Sequence, residues 1–312
     1  MPHVLSNQYR DGVFNRYDIL VRCLAARGIR DGEGTGEALY RAMQAQRPRA
    51  GGHSFEAFQT LAHSVAATGL DPDCPIELGP DGHLWDGSHR LALAAFLGDQ
   101  FIGARYRTVP GSVVYGRQWF EDHGFREEDL ELLDTLRDEL FLCQGVYFQV
   151  VLWPPAAPFA HEVAGRIAET YAVRAGRVLD FTKEPAAFGE FVKQVYAVDD
   201  IAPWKVARKL WAMSAHPPIV NVLSIEIPHP SFRAKTSNPD RMICLEAEDL
   251  KRKIRASYSA RVEKYFYDTV VHMGDSFLQN ALVWKMVAGK SAARCATCRC
   301  SDTDQPGECF NG

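Results

Sequence analysis

The sequence predicts a mixed α/β (α+β) chain in two parts, one running to residue 144 and one starting at Gly145. Three observations predict this. At 312 residues two domains are the natural expectation, because one core rarely grows that large. Apolar residues recur at helical spacing in some segments and form short β-branched runs in others. Gly145 follows an acidic helical pattern and precedes the apolar run 146–152, after which strands alternate with helices. That alternation implies an α/β sandwich with one helical face.

Residues 1–52 are rich in charge and glycine, with helical periodicity at 17–26 and 38–45. Gly32-Glu33-Gly34-Thr35-Gly36 has the glycines of a phosphate loop without the strand before it, so a flexible turn is expected. Ser54 can cap a helix whose Phe55, Phe58, Leu61, Ala62 and Val65 share a face, with Gly69 closing it. Strands at 75–78 and 83–85 flank the turn 79–82, and a helix at 91–97 ends at Gly98. Between them stands Asp86-Gly87-Ser88-His89-Arg90. Gly87 permits a tight turn, Ser88 can cap, Arg90 brings a forked cation and His89 a second donor. A phosphate group needs that combination. The plainer alternative has Asp86 and Ser88 capping the helix and Arg90 paired with a carboxylate.

The run Leu84-Trp85-Asp86-Gly87-Ser88-His89-Arg90-Leu91-Ala92, after a helix and a Pro-Ile strand, resembles the ParB/sulfiredoxin-like domain over residues 18–107. The resemblance implies that Asp86, Ser88, His89 and Arg90 contact a nucleotide phosphate or its Mg²⁺. The free-serine kinases of that superfamily use an upstream glutamate as base, for which Glu56 is the nearest candidate. Its DNA-partition members continue into a helix-turn-helix. Here only residues 115–120 and an acidic helix at 126–142 follow, and acidic helices repel a phosphate backbone.

In the second part the pattern gives a strand at 146–152, a helix at 160–175 and a strand at 177–181. Helices at 185–196 and 203–213, a strand at 219–227, a long loop and a helix at 246–258 follow. A strand at 267–271 leads to His272, and Asp275 or Ser276 caps a helix to about residue 287. An imidazole between a strand end and a helix start can titrate near neutrality or act as a nucleophile, and the helix amides can hold an anion. A hydrogen-bonded structural histidine is the alternative.

The order of local words resembles nucleoside diphosphate kinase over residues 146–287. Those words are Trp153-Pro154-Pro155, Tyr196, Pro203-Trp204, Pro217-Pro218-Ile219-Val220, Ser237-Asn238-Pro239, Ile254-Arg255 and His272-Met273-Gly274-Asp275-Ser276. The resemblance implies a ferredoxin-like sandwich. It casts His272 as the phosphate-accepting or proton-handling imidazole, with Arg255 and Arg233 neutralising nucleotide phosphates. Ser237 would donate to a phosphate oxygen, Trp204 stack on the base, Tyr196 lie beside the histidine, and Asp275 and Ser276 complete the phosphate site. Trp153 stands where that family has a lysine, Leu278 replaces its usual acidic residue, and four extra residues separate Arg255 from His272. Trp153 and Trp211 are expected in the core.

Composition bounds the rest. A net charge of −4 argues against a nucleic-acid-coating surface. No run approaches a membrane span and no secretory leader is visible, so a cytoplasmic protein is expected. Cys23, Cys74, Cys143 and Cys244 are expected as buried or inert thiols. Cys295, Cys298, Cys300 and Cys309 in the tail 289–312 suffice in number for Zn²⁺, though a polar flexible tail also explains them. The expected domains are 1–144 (ParB/sulfiredoxin-like), 145–288 (nucleoside-diphosphate-kinase-like) and that tail. The expected function is ATP- and Mg²⁺-dependent phosphoryl transfer to a hydroxyl of a small metabolite, an amino acid or sugar, with no nucleic-acid or membrane partner and a homo-oligomer admitted. A nucleotide-binding scaffold with a silent kinase-like fold is the alternative, and ParB-type DNA binding the third.

Overall fold

The computed structural model describes residues 1–47, 53–111, 115–197, 201–236, 238–262, 265 and 269–290. They have a mixed α+β architecture and cluster into two compact units that divide between Gln144 and Gly145. Among the described residues no helix is long and apolar enough to cross a membrane.

The first unit runs α1 (Pro2–Ser6), β1 (Tyr9–Arg10), β2 (Val13–Phe14), α2 (Tyr17–Asp31), α3 (Thr35–Ala45) and α4 (Phe55–Thr68). It continues with β3 (Ile76–Leu78), β4 (Leu84–Asp86), α5 (Ser88–Phe96), β5 (Ala104–Tyr106), α6 (Arg117–Asp122) and α7 (Glu127–Gln144). β1 and β2 form a hairpin whose tip, Asp11 and Gly12, has positive φ at both residues, the geometry that matches strand twist. α2 is the axis of this unit. It is buried along most of its length and packs on α3, α4, α5 and α7. Ser54 caps α4 as expected, its hydroxyl accepting from the Ala57 amide at 3.2 Å. β3 is central in a three-stranded sheet, antiparallel to β4 and parallel to β5.

The second unit runs β6 (Phe148–Leu152), α8 (Ala160–Ala168), β7 (Ala172–Asp180), α9 (Pro185–Ala197), α10 (Pro203–Met213) and β8 (Ile219–Glu226). Then come β9 (Phe232–Lys235), β10 (Asn238–Cys244), α11 (Leu245–Tyr258), β11 (Val271–Met273) and α12 (Phe277–Lys290). Four strands form one antiparallel sheet in the order β11-β6-β8-β7. All five residues of β6 are buried, as suits a central strand. Its Phe148, Val150 and Leu152 join Val163 and Ile167 of α8 and Ala247 and Ile254 of α11 in one core.

Several expectations change. The helix expected at 160–175 stops at Ala168, and residues from Ala172 form β7 instead. Their Ala-Val-Arg-Ala-Gly-Arg pattern has weak strand propensity, but a full ladder with β8 overrides it. The expected long loop contains the β9–β10 hairpin. His272 lies in the middle of β11 rather than after it. Residues 267 and 268 of the expected strand lie outside the described residues. Trp153 is fully buried as expected, but Trp211 is 65 % exposed. Cys23 and Cys244 are buried, whereas Cys74 and Cys143 are exposed.

Candidate functional sites

In the first unit the Asp86–Arg90 segment turns from β4 into α5. Gly87 has φ of 94°, and a Cβ there would meet Cγ2 of Ile76 at 2.8 Å, so the position requires glycine. Gly87 itself occupies the N-cap, and no side chain caps this helix, so neither Asp86 nor Ser88 takes the capping role. Arg90 donates from Nη1 to the carbonyls of Cys74 (2.5 Å) and Pro75 (2.7 Å), tying α5 to the start of β3. Its Nη2 lies 3.5 Å from the exposed carboxylate of Asp86. Asp86 and Arg90 therefore meet, with much of Arg90's donor capacity directed at backbone.

His89 faces the other way. Its Nε2 lies 2.8 Å from the hydroxyl of Tyr40 on α3, and its ring lies 5.4 Å from Phe58 of α4 and 5.0 Å from His53. Burial and the charges of Arg22, His53 and Arg47 push this imidazole down to about 2, so it is neutral at pH 7. Glu56 lies exposed on α4, paired with the guanidinium of Arg41, which holds its carboxyl down at about 2. A carboxylate so stabilised is a poor general base at neutral pH.

In the second unit His272 is 5 % exposed and stands opposite Val151 of β6. The Tyr196 ring from α9 meets it edge-on at 5.1 Å, and Trp153 lies 6.4 Å away. Trp153 stacks on Tyr196 and fills the position where the resemblance would put a lysine. Cations reach this region from two helices. α11 presents Lys251 and Arg255 one turn apart, and the Lys209 ammonium of α10 lies 5.1 Å above the Tyr196 ring. Lys251 donates to Asp275 at 2.8 Å and also pairs with Glu248. Arg255 donates from Nη2 to the carbonyl of Val271, next to His272, at 3.2 Å. Burial, then Lys251, Arg255 and Lys209, hold the imidazole down at about 3 against the opposing charge of Asp275. Burial pushes the Asp275 carboxyl up, but the charge and hydrogen bond of Lys251, with Glu248 and His272, together hold it low.

The loop into α12 is fixed internally. The Asp275 amide donates to Oε1 of Gln279 at 2.5 Å, and the Ser276 hydroxyl accepts from the Gln279 amide at 3.4 Å. Asn280 accepts from the Gln149 amide of β6 at 2.9 Å and donates to the Ser276 carbonyl. Asp275 and Ser276 thus hold the turn, and two of the amides expected for an anion are already engaged. Arg233 is exposed on β9, and Trp204 is 57 % exposed at the start of α10 with the Lys205 ammonium over its ring. Ser237 and Cys295, Cys298, Cys300 and Cys309 lie outside the described residues. Beside Arg255 an open hollow of about 480 Å³ is lined by Glu248, Arg252, Arg255, Ala256, Ser259 and Tyr265.

Sequence reasoning missed Lys251, Lys209, Tyr40 and Arg22. Two of these carry a signal in their spacing, since Lys251–Arg255 and Asp18–Arg22 are both i,i+4 pairs on helices. Among the described residues no three His, Cys, Asp or Glu side chains gather where they could hold a metal ion. Comparison with protein-family models, with curated proteins and with solved structures gives no match.

Proposed function

We propose that the chain is an ATP-dependent phosphotransferase acting on a hydroxyl of a small metabolite, with His272 as the phosphate-handling group. One observation carries this reading: a neutral imidazole set among Lys251, Arg255 and Lys209. An unprotonated ring nitrogen can attack phosphorus, and phosphoryl transfer otherwise depends on positioned cations. The antiparallel order β11-β6-β8-β7, with helices between the strands, supports the ferredoxin-like and nucleoside-diphosphate-kinase-like reading of this unit. Arg255, which also lines the hollow, is the residue through which a bound phosphate would be linked to the histidine strand. Mg²⁺ would arrive on the nucleotide's own phosphates, as it commonly does. The ring nitrogen would displace ADP from the γ-phosphorus to give a phosphohistidine, which then yields its phosphoryl group to the acceptor oxygen as the hydroxyl proton leaves.

The test is incubation with γ-labelled ATP and Mg²⁺. The expected result is acid-labile label on the wild-type chain and on Arg90→Ala, and none on His272→Ala. If turnover survives His272→Ala and disappears in Arg90→Ala, the chemistry belongs to the first unit.

A second reading is a nucleotide-binding regulatory protein with a silent kinase-like fold. The buried Trp153 and the 5 % exposure of His272 favour it. Nucleotide binding by calorimetry, with no ADP released across a panel of hydroxylated acceptors, would select it.

A further inference from the structure

Arg22 of α2 has no solvent exposure, yet its guanidinium is only partly satisfied. Nη1 donates to the Asp18 carbonyl at 2.5 Å and to Asp18 Oδ2 at 3.0 Å. Nε and Nη2 meet no hydrogen-bond acceptor. Asp18 gives that edge no bond; Arg16 takes its carboxylate bidentately, Nε to Oδ1 at 2.7 Å and Nη2 to Oδ2 at 2.9 Å. One buried carboxylate therefore serves two buried guanidinium groups. A third, Arg47, acts on the same cluster, held by Nε to the Tyr115 hydroxyl at 3.0 Å and lying over that ring. Arg cannot relieve the imbalance by losing its proton.

The unsatisfied atoms form a particular shape. Nε–H and Nη2–H lie parallel along one edge of the guanidinium, the fork that binds two oxygens of one oxyanion. Beside this guanidinium stand the α3 side chains Tyr40 and Met43, both fully buried, with Met43 Sδ 4.0 Å from Nη1. Neutral His89 approaches Tyr40 from α5. The surroundings hold uncompensated positive charge and hydroxyl and imidazole groups that can donate or accept.

We infer that the first unit carries an anion site centred on the Nε/Nη2 edge of Arg22, with Arg47 as its second cation, and that its ligand is a phosphate-bearing small molecule. The excess of more than one positive charge favours the dianionic phosphate over a carboxylate. The site adjoins His89 of the Asp86–Arg90 turn and is independent of any chemistry at His272.

Calorimetric titration of the full chain with inorganic phosphate at constant ionic strength tests this, with AMP and acetate as comparison probes. The expected result is about one equivalent of phosphate per chain, weakened roughly tenfold or more in Arg22→Met, the loss of one charge-assisted bidentate contact. Arg47→Gln is expected to weaken binding severalfold, and it keeps the test valid if Arg22→Met does not fold. Lys193→Gln, an exposed α9 substitution outside both proposed sites, is expected to bind phosphate as the wild type does. AMP binding more tightly than phosphate would identify a nucleotide as the source, and equal affinity a bare phosphate group; both support the site. Absence of heat with phosphate, unchanged affinity in the Arg22 and Arg47 variants, or acetate binding as well as phosphate would overturn it.

Discussion

The hydroxyl of Tyr40 lies 2.8 Å from Nε2 of His89 and 3.2 Å from the carbonyl of His53. The carbonyl can only accept, and the phenol has one hydrogen. With that hydrogen directed at the carbonyl, His89 donates from Nε2 and keeps its lone pair on Nδ1. Nitrogen chemical shifts of the ring are expected to show this neutral tautomer at pH 7. Tyr40→Phe is expected to cost about 2 kcal/mol in urea denaturation, the usual net worth of its two hydrogen bonds.

His272 supplies a pH prediction whose sign is fixed by its folded value of about 3, below the ordinary histidine value near 6.5. Between those values the unfolded chain binds the proton and the folded chain does not, so stability falls as pH drops from 6.5 toward 3. The contribution is about 1.4 kcal/mol per pH unit over that window. Urea denaturation at a series of pH values should show a shallower acid slope for His272→Gln than for the wild type.

Lys251 joins Asp275 and Glu248 and depresses His272. Lys251→Met is expected to destabilise the second unit by about 3 kcal/mol, the low end for a broken buried pair because Asp275 is only half-buried. The same variant should raise the His272 pKa, visible in its ring proton shifts against pH. A structural lysine with no electrostatic hold on the imidazole would leave that titration unmoved.

Trp153→Lys would restore the side chain that the resemblance calls for. The site has no room for it: Trp153 is fully buried, stacked 5.6 Å from Tyr196 and edge-on to Phe191 at 6.2 Å. Loss of the indole alone costs about 3–5 kcal/mol, and a buried ammonium adds to that. Thermal denaturation should show the second unit unfolding at or below ambient temperature, with no gain in phosphoryl transfer.

Gly145 has φ of 72°, and a Cβ there would stand 2.2 Å from the Phe277 carbonyl oxygen and 2.6 Å from the Ala281 amide nitrogen. Both are backbone atoms that cannot swing aside. Gly145→Ala is expected to cost about 3 kcal/mol or more, measured by chemical denaturation.

Segments with a strong local signal were legible in the sequence. Ser54 as a cap, the glycine turn at Gly87 and the bounds of α10 follow from residue type and spacing alone. The second half of β7 was legible as a strand at 177–181, but its first half was hidden because Ala175 and Gly176 do not favour strands and only pairing with β8 makes them one. The candidate sites were half legible. His272 and Tyr196 were named together from their words, and they do touch. The direction of a side chain was not legible: Arg90 and His89 are neighbours in sequence, yet one holds the Cys74 carbonyl and the other the Tyr40 hydroxyl. Nor does a sequence show that Arg16 already occupies the carboxylate Arg22 would need.

The sheet order also sets a timetable for synthesis. β6 emerges early in its unit, but its outer partner β11 is translated only after β7, β8 and the β9–β10 hairpin. A ribosome partway through this message therefore holds a chain whose middle strand has one side open, and such unpaired edges invite misassembly. The imidazole at position 272 is delivered with the very strand that seals the gap, so a nascent chain cannot possess that side chain before the sheet around it is whole.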